Sequence, residues 1–391
     1  MSGTGFDARP FRVDVPEAEL EELGRRLDMA RWPDQIAPGT WQYGTDLEYL
    51  RELCRYWRHT YDWRATEAEV NRWPQFVTNL DGQRLHFVHA RSTSQDALPL
   101  LLTHGWPGSV VEFLKVLGPL TDPAAHGGAA QDAFHVVCPS MPGYAWSGPT
   151  TDAGWDLRRI AACLGELMAG LGYERFGAQG GDWGAGVATM LARSVPERLV
   201  GIHLNILAVP PPDGPDPLAG LTEAEVRSIA QTDRFLRDEM GYREIQGTKP
   251  QTLAYALMDS PVGLAAWIVE KFRAWSDCGG EVESSFTRDE LLGNITTYWV
   301  TRTAGSSMRL YYETRASGQV MEERYKAEAR VEVPTGCAIF PAEIRRPPRS
   351  WVERHFNVKS WTAMPAGGHF AALEEPELLV EDIRSFFRAL R

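Results

Sequence analysis

Apolar residues recur along this chain with two different periods, and the change from one to the other divides it. Near the front the period is helical. Leu20, Leu23 and Leu27 repeat behind Pro16, Glu17 and Glu19, which suit a first helical turn. Leu47, Leu50, Leu53, Cys54 and Trp57 form a second such face, with Arg51, Glu52 and Arg55 pointing elsewhere. From Phe76 the pattern becomes that of strands. Phe76–Leu80 and Arg84–His89 flank Asp81-Gly82, a pair that supplies the positive φ angles of a tight hairpin, and His86 and His89 belong to that hairpin. Continuous apolar runs follow at Pro99–Thr103 and Phe134–Cys138. A helix over 157–171, a short strand over Arg175–Gln179, a helix from Ala185 to Arg193 and a strand over 199–205 then alternate. Alternation of this kind predicts an α/β fold, a mostly parallel sheet flanked by helices on both faces.

The regularity stops at the Pro-rich stretch 210–217. From Leu221 to about Gly318 the pattern is helical and aromatic, with Tyr242, Tyr255, Trp267, Trp275, Tyr298, Trp299, Tyr311 and Tyr312. Strands resume at 333–340 and 358–364, and a helix from Pro376 turns Leu379, Ile383, Phe386, Phe387 and Leu390 inward. The expected organisation is a helical strap at 1–75, the first part of the core at 76–208, a helical lid at 209–320 and the rest of the core at 321–391. Trp32, Trp41, Trp57, Trp63 and Trp73 are expected to dock the strap on its neighbours.

Within this alternation Gln179-Gly180-Gly181-Asp182-Trp183-Gly184 joins strand to helix through a turn too tight for side chains. That is a nucleophile elbow with aspartate in the place usually held by serine. An aspartate, whose ordinary pKa is about 3.9, is ionised at neutral pH and can displace oxygen or halide from saturated carbon to make an ester. His104-Gly-Trp-Pro-Gly108 after a buried strand can present backbone N–H groups to a developing oxyanion. Glu343 and His369 follow late strands in the order nucleophile, acid, base.

Composition narrows the picture. A net charge of −12 disfavours a nucleic-acid partner, and 43% hydrophobic residues suit a large globular core. Five scattered cysteines, an odd number without paired spacing, read as reduced core residues. No stretch has the length and apolarity of a membrane span, so no anchor and a cytoplasmic location are expected. Arginine greatly outnumbers lysine, which points to a bacterial source.

With these motifs in place, the chain resembles the epoxide hydrolases of the microsomal and juvenile-hormone type. The resemblance rests on Phe11-Arg-Val-Asp-Val-Pro, Trp32-Pro33, His104-Gly-Trp-Pro, Gly180-Gly-Asp-Trp-Gly, Ser260-Pro-Val-Gly-Leu-Ala-Ala, Arg309-Leu-Tyr-Tyr and Gly367-Gly-His-Phe-Ala-Ala-Leu-Glu-Glu-Pro. It implies the α/β-hydrolase fold, Asp182 as nucleophile, His369 as base, Glu343 as its acid partner, and Tyr242 and Tyr311 as the pair that grips the epoxide oxygen. Backbone N–H groups of Trp106 and Trp183 would form the oxyanion hole. Trp106, Trp183 and Tyr312 would contact substrate. The expected partners are a small-molecule epoxide and water, with no metal or cofactor, and a homo-oligomer is left open. The expected product is a vicinal diol from an apolar, bulky or aryl epoxide, in detoxification or natural-product tailoring. Alternatives are a haloalkane dehalogenase, which would need N–H donors for halide rather than phenols, a serine-type esterase, or a silent hydrolase fold acting as a binding protein.

Overall fold

The computed structural model describes residues 6–318 and 329–391. Among them nine strands form one sheet in the spatial order β1-β2-β3-β5-β4-β6-β7-β8-β9. Strands β1 (Arg9–Phe11), β2 (Gln75–Leu80) and β3 (Gln83–Ala90) pair antiparallel, and β3 pairs antiparallel with β5 (Phe134–Pro139). From β5 the sheet is parallel through β4 (Leu98–Thr103), β6 (Phe176–Gly180), β7 (Leu199–Leu204), β8 (Val331–Ile339) and β9 (Phe356–Ala363).

The central strands are mostly apolar because both faces are covered, with His135, Gln179 and His203 as buried polar exceptions. Leu101 and Val137 enter one core cluster, with Ile160 and Leu164 of α5 (Leu157–Gly170) and Val187 and Leu191 of α6 (Asp182–Ser194). Their neighbours Leu100, Leu102, Val136 and Cys138 point the other way, as the two-residue period requires. They meet Val116 and Leu120 of α4 (Leu114–Thr121) and Ile383 and Phe387 of the closing helix Pro376–Arg388. All five cysteines are free and buried.

The opening segment carries α1 (Glu17–Asp28), α2 (Leu47–His59) and α3 (Trp63–Val70). Asp46 starts α2 by accepting from the backbone N–H groups of Glu48 and Tyr49, both at 3.1 Å. Leu23, Leu27, Leu53 and Trp57 are buried in the cluster that also holds Ile268 and Phe272. Complete burial of a side chain such as Leu53 stabilises by about 1.5–3 kcal/mol relative to exposure. One part of this segment departs from the expected all-helical reading: Arg9–Phe11 adds an edge strand opposite Gln75–Val77. Three residues are too few to display a period, and the strand exists through its partner. Trp63 and Trp57 are buried, whereas Trp32 and Trp41 are half-buried.

Between β7 and β8 lie α7 (Glu223–Asp238), α8 (Gly241–Thr248), α9 (Pro250–Asp259), α10 (Pro261–Trp275), α11 (Arg288–Val300) and α12 (Ala304–Ala316). Helix α12 packs against α8 and α9, and α10 against α2. The expected boundary at 320/321 lies outside the described residues. Among the described residues no single helix is long and apolar enough to cross a membrane.

Candidate active site

The expected elbow forms at the end of β6, with one difference: the helix begins at Asp182 itself rather than at Ala185. Asp182 has φ +46°, in the left-handed region that costs a residue other than glycine about 1–3 kcal/mol, and this turn directs its carboxylate off the end of the sheet. Close packing explains the glycine that follows two residues later. A Cβ on Gly184 would lie 1.9 Å from the carbonyl oxygen of Thr103. Gly105 is needed for the same kind of reason, because a Cβ there would lie 2.1 Å from Asp182 Oδ1.

That carboxylate is held from two sides. Oδ1 accepts the backbone N–H of Trp106 at 2.8 Å, from the loop after β4. Oδ2 lies 3.2 Å from His369 Nε2, and His369 Nδ1 lies 2.8 Å from Glu343 Oε1. The chain of contacts thus runs from Asp182 through His369 to Glu343, contributed by the ends of β6, β9 and β8. His369 and Glu343 are buried, while the Asp182 side chain retains 18% exposure toward the cavity above it. Glu343 Oε1 also accepts the N–H of Ile344 at 2.7 Å, and the His369 N–H donates to the carbonyl of Trp275 at 2.9 Å, which ties the histidine loop to α10. Burial of the imidazole disfavours its charge. The carboxylates of Glu343 and Asp182 outweigh that effect and hold the pKa of His369 well above the ordinary histidine value.

Above Asp182 lies a cavity of about 460 Å³. Trp183, Ile206, Phe235, Met240 and Ile344 line it, together with Tyr242 from the first turn of α8 and Tyr311 from α12. Packing of α8 on α12 brings the two tyrosines together, with ring centroids 5.9 Å apart and nearly perpendicular. The ring of Trp106 stacks on Tyr242 at 5.3 Å, and Trp183 meets Tyr311 edge-on at 4.7 Å. Both phenols are buried. Burial and then the charge of Asp182 raise the pKa of Tyr242, while burial, Tyr242 and Asp182 raise that of Tyr311, so each is held as a hydrogen-bond donor.

Tyr312 is not part of this arrangement. It is 44% exposed and lies outside the cavity, which corrects its expected contact with substrate. One residue along an α-helix is a rotation of about 100°, so of two adjacent tyrosines only one can face the site. Tyr298 is occupied elsewhere, donating from its hydroxyl to the carbonyl of Gly108 at 2.7 Å. His86 and His89 bond within and beside the hairpin, to Ser140, Gln75 and Tyr173.

Several residues near the site carried no signal in the one-dimensional pattern. Arg243 and Arg345 line the cavity. Glu112, on the turn after the His104 loop, is half-buried, and lost hydration around its carboxyl pushes its pKa up to about 8. Lys271 on α10 is buried beside Tyr242. An acid or a base embedded in an apolar run, as in Val110-Val-Glu-Phe113 and Trp267-Ile-Val-Glu-Lys-Phe272, was the available sign.

A sheet with this strand order, an elbow on β6, and an acid and a histidine on β8 and β9 define an α/β-hydrolase. The chain matches the family model for the alpha/beta hydrolase fold over residues 99–254. It also matches the model for the epoxide hydrolase N terminus over residues 8–113. It is 39% identical to Epoxide hydrolase 1 of Sus scrofa over 98% of this chain and 89% of that one. Among solved structures, the Aspergillus niger epoxide hydrolase superposes with a TM-score of 0.87 at 32% identity, covering 98% of this chain and 97% of that one. The juvenile hormone epoxide hydrolase of Bombyx mori gives 0.90 at 29% identity, covering 99% and 95%. The chain belongs to the epoxide hydrolase family.

Proposed function

We propose that this epoxide hydrolase opens its substrate by covalent attack of Asp182, with Tyr242 and Tyr311 as proton donors, and then hydrolyses the ester with His369 as base. The observation that carries this reading is one cavity lined by the Asp182 carboxylate and two protonated phenols, with a carboxylate-backed histidine in contact with Asp182.

In the first step one Asp182 oxygen attacks a ring carbon. The carbon–oxygen bond breaks, its electron pair stays on oxygen, and a phenol supplies the proton. The product is a hydroxyalkyl ester and a phenolate. Before the second step the phenolate recovers a proton from the His369 imidazolium, which leaves that ring neutral. His369 then takes a proton from water, hydroxide adds to the ester carbonyl, and the tetrahedral intermediate collapses to the Asp182 carboxylate and the vicinal diol, so that phenol, imidazolium and carboxylate all return to their starting states. The N–H of Trp106 already points at Asp182 Oδ1, which becomes the carbonyl oxygen of the ester, and the N–H of Trp183 is its proposed partner in the oxyanion hole.

Forming the ester also changes His369. Once Asp182 is esterified its negative charge is gone, and with it one of the two carboxylates that keep the imidazole protonated. The histidine becomes easier to deprotonate at the step that requires a base. Glu343 continues to orient the ring through Nδ1.

The lining supports an apolar substrate of some bulk, an aryl epoxide included, because Trp183, Phe235, Met240, Ile206 and Ile344 offer rings and branched chains around the two phenols. The phenols also favour an epoxide over a haloalkane: a departing halide needs no proton, whereas an alkoxide does. Five free buried cysteines support a reducing, cytoplasmic setting. Helices α7–α12, from 223 to 316, are proposed to act as the lid and residues before 76 as the strap that anchors it.

Intact-protein mass spectrometry of His369→Ala tests this reading. Mixed with an aryl epoxide, the variant should gain the mass of one substrate and hold it, while wild type returns to its own mass with release of diol. A folded variant that stays unmodified with an epoxide that wild type hydrolyses would remove His369 from the second step alone.

A further inference from the structure

Lys271 is a charged side chain in a place that stability alone does not explain. It sits on α10 among Ile268, Phe272 and Trp275 and is only 4% exposed. Its Nζ lies over the ring of Tyr242, 4.9 Å from the centroid, and 5.8 Å from that of Trp275. Glu270 Oε2 is 2.5 Å from the same Nζ, but that carboxylate is the more exposed partner, at 22% against 5% for the lysine side chain. The ammonium therefore lies between the Glu270 carboxylate and the face of the phenol ring, with the charge of Glu239 also within its reach. A groove of about 910 Å³ between strap and lid has Tyr242, Glu239, Glu270 and Lys271 on its wall, which gives the buried pair a path to water.

We propose that Lys271 is a positioning residue that acts through Tyr242, its ammonium stabilising the negative charge that develops on the phenol ring as the epoxide oxygen takes the proton. The proposal rests on the assignment of Tyr242 as a proton donor. Its physical basis is that a cation held over an aromatic face is attracted to the ring quadrupole, and more strongly once the ring carries phenolate charge. Such a gain exists in the transition state and hardly at all in the ground state, which is the condition for raising the rate of a chemical step. The other charged and titratable groups around the phenol are Asp182, which opposes its ionisation, and Arg243, Arg345 and Tyr311, which favour it. Lys271 is set apart from the two arginines by its position over the ring itself. Removing one member of a buried ion pair costs stability, but Glu270 is the more exposed partner and reaches water through the groove, so the charge of Lys271 can be removed and the fold kept.

The test is a double-mutant cycle read by stopped-flow alkylation and by ester hydrolysis as separate steps. Lys271→Met should lower the melting temperature yet stay folded, form the ester about tenfold more slowly, hydrolyse it at the wild-type rate, and move the alkaline limb of the alkylation profile to higher pH. Lys271→Arg should recover most of the rate. In a Tyr242→Phe background Lys271→Met should have no further effect. Lys271→Gln, neutral but able to hydrogen-bond Glu270, gives the same reading should the methionine variant lose its fold. A wild-type alkylation rate in the neutral variants, or an undiminished loss in the Tyr242→Phe background, would overturn the proposal while leaving Tyr242 as a donor. A Tyr242→Phe variant that alkylates at the wild-type rate would instead remove the donor assignment, and the role of Lys271 with it.

Discussion

The two halves of the site are built in different ways. On the sheet, Asp182, His369 and Glu343 are joined by polar contacts of 2.8–3.2 Å and fixed further by backbone N–H groups of Trp106 and Ile344. On helices α8 and α12, Tyr242 and Tyr311 are positioned by ring packing against Trp106, Trp183, Trp275 and each other, at centroid separations of 4.7–5.9 Å. Directional bonds suit an ester-forming carboxylate and a base, whose lone pairs must be aimed. Ring packing suits donors that need only converge on one oxygen while the surrounding surface admits an apolar substrate. In the proposed mechanism the sheet half carries the ester intermediate, and the helical half decides which bond is opened.

This contrast can be broken most severely at the two tyrosines. Tyr242→Phe and Tyr311→Phe should each slow ester formation by about a hundredfold, since one removed transition-state donor costs on the order of 3 kcal/mol. The double variant should lose epoxide opening almost entirely and keep its fold, because phenylalanine preserves the ring volume. Pre-steady-state alkylation with circular dichroism on the same samples checks it. A double variant that still opens epoxides at the wild-type rate would place the acid outside the pair.

A smaller and reversible effect tests the sheet half. In Asp182→Asn one carboxylate no longer faces His369, so the imidazole should titrate at lower pH than in wild type, as followed by NMR of the ring signals. The sign for stability follows from the raised folded pKa. The contribution of protonated His369 is complete below about pH 6.5, the unfolded value, and is lost as pH rises through the higher folded value. Wild type should therefore lose melting temperature across that window more steeply than Asp182→Asn. Equal profiles would mean that Asp182 does not hold the proton on His369.

The smallest expected effect is at Tyr312. Its phenol is exposed beside the buried Tyr311, so Tyr312→Phe should change alkylation by less than about twofold and stability by less than about 0.5 kcal/mol. A loss comparable with that of Tyr311→Phe would show that α12 turns its other face to the substrate.

The same physical division governs how much could be read from the chain. The elbow, its acid and its histidine were legible because their chemistry dictates residue types, and because contacts such as that of Gly184 with Thr103 admit no side chain. Strands β4 and β5 were legible because a strand covered on both faces is mostly apolar. Strand β1 was not, since three residues gain their strand character only from β2. Tyr311 was named as the donor by resemblance, whereas excluding its neighbour Tyr312 from the substrate needed the rotation of α12, which a pair of adjacent identical residues does not record. Lys271 and Glu112 escaped for a related reason. A charge inside an apolar run acquires meaning only when the group facing it is known, and Tyr242 is 29 residues from Lys271 in the chain.

The central claim, that Asp182 carries the substrate as an ester, is tested most directly by a single turnover with enzyme in excess in ¹⁸O-labelled water. Water attacks the ester carbonyl in this account, so the label should appear in the peptide containing Asp182 and the diol should be unlabelled. Label in the diol with none on Asp182 would mean that water attacks the epoxide itself, and the covalent account would be wrong.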